Sequence, residues 1–212
     1  MSRRLCLRTG VAALATAAAF AAVTSSASAG PLVASAPSCE DQPLAKTFAP
    51  WLDPADYTPL PGGDFEGSVS SWSFAGGAGL AAGNSPYAVG GDDDASSLVL
   101  PAGGSATSAS ICVGLTHPTV RFFARRRSSG LLASLSTLNV DVLFELADGS
   151  VATAAVGSVL SDGSWQPTLP MPVVANLLPL LPGEHTPVAF RCPAHGGDWS
   201  VDDVWVDPYS RK

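Results

Sequence analysis

From Phe48 to Val206 turn residues cut the chain at intervals of about 8–12 positions, the spacing of an all-β sandwich or barrel rather than of long helices. Pro50, Pro54, Pro59 and Pro61 hold Phe48 to Pro61 extended, since each ring removes a donor and restrains the residue before it. Short apolar or alternating runs follow. They are Val69 to Phe74, Gly79 to Ala82, Leu98 to Leu100, Ile111 to Val113, Thr119 to Arg125, Ser134 to Leu146, Val151 to Leu160, Ser164 to Met171, Pro187 to Arg191 and Trp199 to Val206. Beyond the first thirty residues, one segment, Val173 to Leu178, has helical spacing, and Pro179 and Pro182 close it. With 21 Gly and 18 Pro among 212 residues, the chain is rich in turns without being of low complexity.

Two runs carry readable side-chain parity. In Asn139 to Leu146 the residues Val140, Val142, Phe144 and Leu146 share one face, against Asn139, Asp141, Leu143 and Glu145. Strict alternation in the last run puts Ser200, Asp202, Val204 and Val206 on one face and Val201, Asp203 and Trp205 on the other. One carboxylate is thereby expected on the core side, where it has to be paired, protonated or bound to a metal.

The first residues read as an address. Arg3, Arg4 and Arg8 form a positive region, Val11 to Val23 is an apolar run, and Ala27-Ser28-Ala29 is a small-residue cleavage site before Gly30. The run has 13 residues, whereas a membrane span needs about 20, so a signal peptide is expected over 1–29 and a secreted, extracellular product. Ser2 to Arg8 also resembles a twin-arginine export motif, with Cys6 where that pattern has Phe. Residues 30–58 form the extended lead-in and 59–209 the domain. The 18 acidic residues outnumber the 11 basic ones, and loss of the leader's arginines widens the gap, which excludes nucleic acid as a partner.

A mature chain keeps Cys39, Cys112 and Cys192 in a compartment that permits disulfides. A Cys39–Cys112 bond would tie the lead-in to the sheet, worth about 4–5 kcal/mol in the chain-entropy model. Cys192 reads as a buried thiol, the alternative being an intermolecular bond.

Gly62-Gly63-Asp64-Phe65-Glu66-Gly67 with Ser71-Trp72-Ser73, and Trp199-Ser200-Val201-Asp202-Asp203-Val204-Trp205-Val206, resemble the opening and closing signatures of jelly-roll carbohydrate-binding modules with the galactose-binding-like fold. The resemblance implies an antiparallel β-sandwich, with first and last strands side by side. It further implies a structural calcium held by Glu66, Asp202 and backbone carbonyls, with Asp64 and Asp203 as reserve ligands. Calcium takes six to eight hard oxygens, which carboxylates and glycine-rich turns supply. The mature chain also resembles a set of secreted, actinobacterial-type proteins that transfer no activity. Asp92-Asp93-Asp94 reads instead as a hydrated loop, because adjacent carboxylates repel.

Catalysis finds little support in the residues. His117, His185 and His195 form no zinc pattern, and there is no nucleophile elbow, phosphate-cradling loop or dinucleotide fingerprint. Pairs such as Asp141 with Glu145, or Glu66 with Asp202, suit glycoside hydrolysis only at separations of about 5–10 Å. The expected role is non-catalytic binding of an extracellular glycan or cell-wall polymer. Trp51, Tyr57, Tyr87 and Trp205 would offer ring faces to sugars, and Arg121 and Arg125 hydrogen bonds. Trp72 and Trp165 read as core, and Arg125-Arg126-Arg127 as a solvated turn with the option of an anionic glycan. The alternative is a structural or surface-interaction protein of the same fold without a sugar site.

Overall fold

The computed structural model describes residues 30–36, 42–114, 118–146, 148–173 and 185–208. The expected leader, Cys39, His117 and all but the first residue of the expected helix lie outside the described residues. In chain order the strands are β1 (Thr58–Pro59), β2 (Ser73–Ala75), β3 (Gly79–Ala82), β4 (Ser96–Leu100), β5 (Ser105–Thr107), β6 (Ile111–Gly114) and β7 (Thr119–Arg126). They continue with β8 (Thr137–Glu145), β9 (Val151–Val159), β10 (Gln166–Pro167), β11 (Met171–Pro172), β12 (His185–His195) and β13 (Trp199–Asp207). One sheet runs β10-β7-β13-β4-β3, with β1 beside β13 and β11 beside β7, and the other runs β2-β5-β12-β8-β9, with β6 beside β12. Every pairing is antiparallel.

The protein is therefore an all-β sandwich, and its first and last strands pair as the jelly-roll resemblance implies. The core is made from the inward residues of both sheets: Leu98, Leu100, Val120, Phe122 and Trp199 from one, Leu138, Val140, Val142, Phe144 and Phe190 from the other. β8 follows the expected parity, with Val140, Val142 and Phe144 buried and their neighbours half-buried, while Leu146 lies past its end and is exposed. A register shift interrupts the β8–β9 ladder at Val140 and Asp141. Gly157 lies at that shift, and a Cβ there would meet Met171 Sδ at 3.0 Å.

Three expectations are corrected. Ser164 to Met171 is not one strand, because Pro167, Pro170 and Pro172 withhold donors and leave the two-residue contacts β10 and β11 against β7. The lead-in is not extended throughout. Pro31–Ser35 forms a single helical turn with Pro31 at its start, where a missing N–H costs nothing, and Ala49–Trp51 forms a 3-10 turn. The alternation of β13 breaks at a bulge between Asp202 and Trp205, where Asp203 has the left-handed φ of +50°. Val201, Val204 and Val206 consequently all join the core, while Ser200, Asp202 and Trp205 lie opposite Arg125, Phe123 and Arg121 of β7.

Candidate functional site

The bulge in β13 gathers carboxylates. Asp202 and Asp203 are 1% and 2% exposed. Asp202 accepts hydrogen bonds from the Ser85 N–H at 2.6 Å and the Asp203 N–H at 3.0 Å, and Asp203 Oδ2 accepts one from Ser85 Oγ at 3.4 Å. Burial lifts the Asp202 carboxyl to about 7, with help from the negative charges of Asp94 and Glu66. Burial likewise lifts Asp203 to about 8, reinforced by Asp202 and Asp94. Asp94 is raised too, by burial and then by Glu66 and Asp64. Among the described residues no ion pair includes any of these five carboxylates.

Two features show room for a cation. Asp94 Oδ2 is buried without a hydrogen-bond partner, and a Cβ added to Gly90 would lie 2.6 Å from Asp203 Oδ1 and 3.0 Å from Asp94 Oδ2. Glycine at this position leaves open the space between two carboxylates, which fits the donor set of a hard cation. Glu66, on the turn after β1, spends one oxygen on the N–H groups of Ala95 and Ser96 and so pins the loop that carries Asp94. Asp64 is exposed and lines, with Gly90, Asp203 and Trp205, a cavity of about 280 Å³. Among the described residues no three His, Cys, Asp or Glu side chains are grouped closely enough to hold a metal ion by themselves, so backbone oxygens would have to complete the set. Asp94 is the site residue that sequence reasoning set aside. Its neighbours in sequence predict hydration, and nothing local announces Asp203 across the fold.

The aromatic candidates gather elsewhere on the same sheet face. Phe48, Tyr57 and Phe123 form a second buried cluster, covered by Trp51, Trp165 and Trp205. Tyr57 and Arg121, expected to meet a ligand, are 1% and 4% exposed and offer it no surface. Both serve instead to hold the lead-in on β7. Arg121 Nη1 donates to Asp53 Oδ2 at 2.6 Å, its Nε donates to the Thr168 carbonyl at 2.8 Å, and its guanidinium lies 4.2 Å from the Phe48 ring centre. The Tyr57 hydroxyl donates to the same Asp53 oxygen at 2.8 Å. Burial pushes Asp53 up, but the bonds from Tyr57, Ala55 and Arg121 outweigh it and leave the carboxyl below its usual value. Burial and Asp53 push the Tyr57 hydroxyl well up.

Tyr87 is exposed, and Trp51 and Trp205 are half-buried. The rings of Trp51 and Tyr87 meet edge to face at 5.2 Å, and Tyr87 lies 5.1 Å from Phe123. Arg125 stacks its guanidinium 5.0 Å from the centre of Trp165, which belongs to this outer cluster rather than to the core as expected. Trp72 is core as expected, its Nε1 donating to the Pro61 carbonyl at 2.8 Å. The outer face of the other sheet carries Ser105, Thr107, Asn139, Asp141, Leu143, Thr153 and Ala155, without Trp, Tyr or Phe among its described strand residues. Of the carboxylates weighed for hydrolysis, Asp141 and Glu145 are engaged there. Asp141 pairs with Arg191 at 2.7 Å, and Glu145 accepts the N–H groups of Gly30, Leu32 and Val33.

Cys192 is a free, buried thiol, as read from the sequence, and burial raises it to about 12. Cys112 is buried on β6, and its expected partner Cys39 lies outside the described residues. Among the described residues no helix is long and apolar enough to cross a membrane.

No family model matches the chain, and no curated protein matches it. Among solved structures it is similar to a Clostridium thermocellum endo-1,4-beta-xylanase carrying a family 22 carbohydrate-binding module, complexed with xylohexaose. That likeness has 14% identity, covers 70% of this chain and 28% of the xylanase chain, and has a TM-score of 0.46. A xylan-binding domain of family 22 shares 13% identity over 70% of this chain and 93% of its own, at a TM-score of 0.41. The C-terminal family 6 module of a Zobellia galactanivorans laminarinase shares 8% over 71% and 98%, also at 0.41.

Proposed function

We propose that this protein is an extracellular, non-catalytic glycan-binding β-sandwich whose opening turn, β3–β4 loop and last strand are clamped by a structural calcium. The observation that carries the calcium is the orphaned Asp94 oxygen facing Asp203 across Gly90, in a cluster of five carboxylates without a counter-cation. Asp94 and Asp203 would be its carboxylate ligands, completed by backbone carbonyls, with Asp202, Glu66 and Asp64 at the margin. Its positive charge would let Asp202 and Asp203 ionise at neutral pH, replacing the protons that burial otherwise forces on them. Glycan binding rests on the rings of Trp51, Tyr87, Trp165 and Trp205, which lie together on one sheet face with polar groups beside them.

A thermal melt with calcium and with chelator tests the clamp, repeated for Asp94→Ala and Asp203→Ala. The reading expects a calcium-dependent rise lost in both variants, and a wild-type melt indifferent to calcium overturns it. A second reading, a structural protein without a sugar site, is favoured by the outer face of the other sheet, whose described strand residues include no Trp, Tyr or Phe. Oligosaccharide binding by the wild type separates the two. The Cys39–Cys112 bond is part of the proposal, and peptide mapping under non-reducing conditions checks it.

A further inference from the structure

Arg125 and Arg126 end β7 instead of lying in the expected solvated turn, Arg127 follows them, and none of the ion pairs among the described residues includes the three. This is unusual in a chain of net charge −7, where carboxylates are plentiful. Arg125 is half-buried, and its Nε is shut off from water without an acceptor. The guanidinium is held in place by the face of Trp165, which fixes its plane and leaves the outer donors free. Arg127, just past the end of the strand, donates from Nη1 to Ser200 Oγ at 3.2 Å. Ser200 is the residue opposite Arg125 in the ladder, so both guanidinium groups flank one row of the sheet.

The rings adjoin this row. The Tyr87 hydroxyl donates to the Trp165 carbonyl at 3.1 Å, and Tyr87 in turn meets Trp51. Trp165 thus links the two, its ring under the Arg125 guanidinium and its carbonyl on the Tyr87 hydroxyl, an arrangement that suits an acidic sugar one unit along from a neutral one.

We infer that the glycan this face takes is acidic, its oxyanion held by Arg125 with Arg127 and its neighbouring sugar stacked on Tyr87 and Trp51. The inference rests on the glycan-binding reading and names its ligand class. The net charge restricts it further. A uniformly charged polymer is repelled by the rest of the molecule, so the fitting ligand is a mostly neutral glycan with isolated acidic residues.

The test uses the mature protein in calcium and titrates it with three probes by calorimetry. They are a glucan tetrasaccharide in which one sugar is glucuronate, the same tetrasaccharide with that carboxyl reduced to the alcohol, and one carrying a sulfate ester in its place. The expected result is binding of the glucuronate probe at least tenfold tighter than the reduced one, and at least a tenfold loss in Arg125→Gln with an unchanged melting temperature. Equal binding of the glucuronate and sulfate probes identifies a general oxyanion site, and preference for the glucuronate identifies a uronic acid. Equal binding of the reduced and acidic probes, or full binding by Arg125→Gln, overturns the inference while leaving a neutral-glycan reading in place. Binding of none of the three, with the calcium-dependent melt intact, overturns it together with the glycan reading.

Discussion

The outer face of one sheet buries charge twice, by opposite means. Where the lead-in crosses β7, Arg121 meets Asp53, the Thr168 carbonyl and the Phe48 ring, so the desolvated cation is fully partnered. Where β13 bulges, Asp202, Asp203 and Asp94 are desolvated together with only N–H and O–H donors for company. The first site is complete in the folded chain, while the second lacks a positive charge that must come from solution as protons or as a metal. Burial alone thus does not say whether a charged group is structural. The counter-charge decides it.

The sharpest way to break this contrast is to unpair the completed site. Arg121→Met should cost about 3–5 kcal/mol, because Asp53 is left buried without its cation. Adding Asp53→Leu should recover most of that loss in a denaturant titration, and a double variant as unstable as the single one would show that the pair is not the cause. At the unfinished site, calcium at a hundredfold excess over its dissociation constant should add about 2.7 kcal/mol, a rise of roughly 5–10 °C in a domain of this size.

The two sites should also respond to pH with opposite sign. Asp53 is depressed in the folded state, so its contribution is present above the unfolded value of 3.8 and is lost as pH falls through the lower folded value. Asp202 and Asp203 are raised, so in chelator their contribution is present below 3.8 and is lost as pH rises through about 7 and 8. Denaturant midpoints of the chelated protein from pH 3 to 9 check both limbs, and calcium should flatten the upper one. Smallest of all, Arg125→Gln should change stability by less than about 0.5 kcal/mol, since its guanidinium has no protein partner to lose beyond the Trp165 ring.

How much of this was legible in the sequence follows the range of the forces involved. The period-2 pattern of β8 survives in the structure because each inward residue is decided by the pleat beneath it. β13 carries an equally regular pattern and misleads, since one left-handed residue, Asp203, shifts the rest of the strand by a position. Asp202 and Asp203 were readable as carboxylates in a difficult place, whereas Asp94 depends on a loop folding back over β13. Tyr57 and Arg121 have the composition of a ligand site, and only the docking of the lead-in turns them into its latch.

The strand at the middle of the first sheet is also the last of the described strands. β4 and β7 each pair with β13 and not with one another, so during synthesis they wait with open edges until residues 199–207 arrive. The lead-in waits too, because the face on which it rests is incomplete until then. Contacts of such long sequence separation make folding slow and late, as loop closure has to precede the reward of pairing. The closing of the first sheet and the seating of the lead-in are thereby tied to one event, the arrival of β13 between β4 and β7.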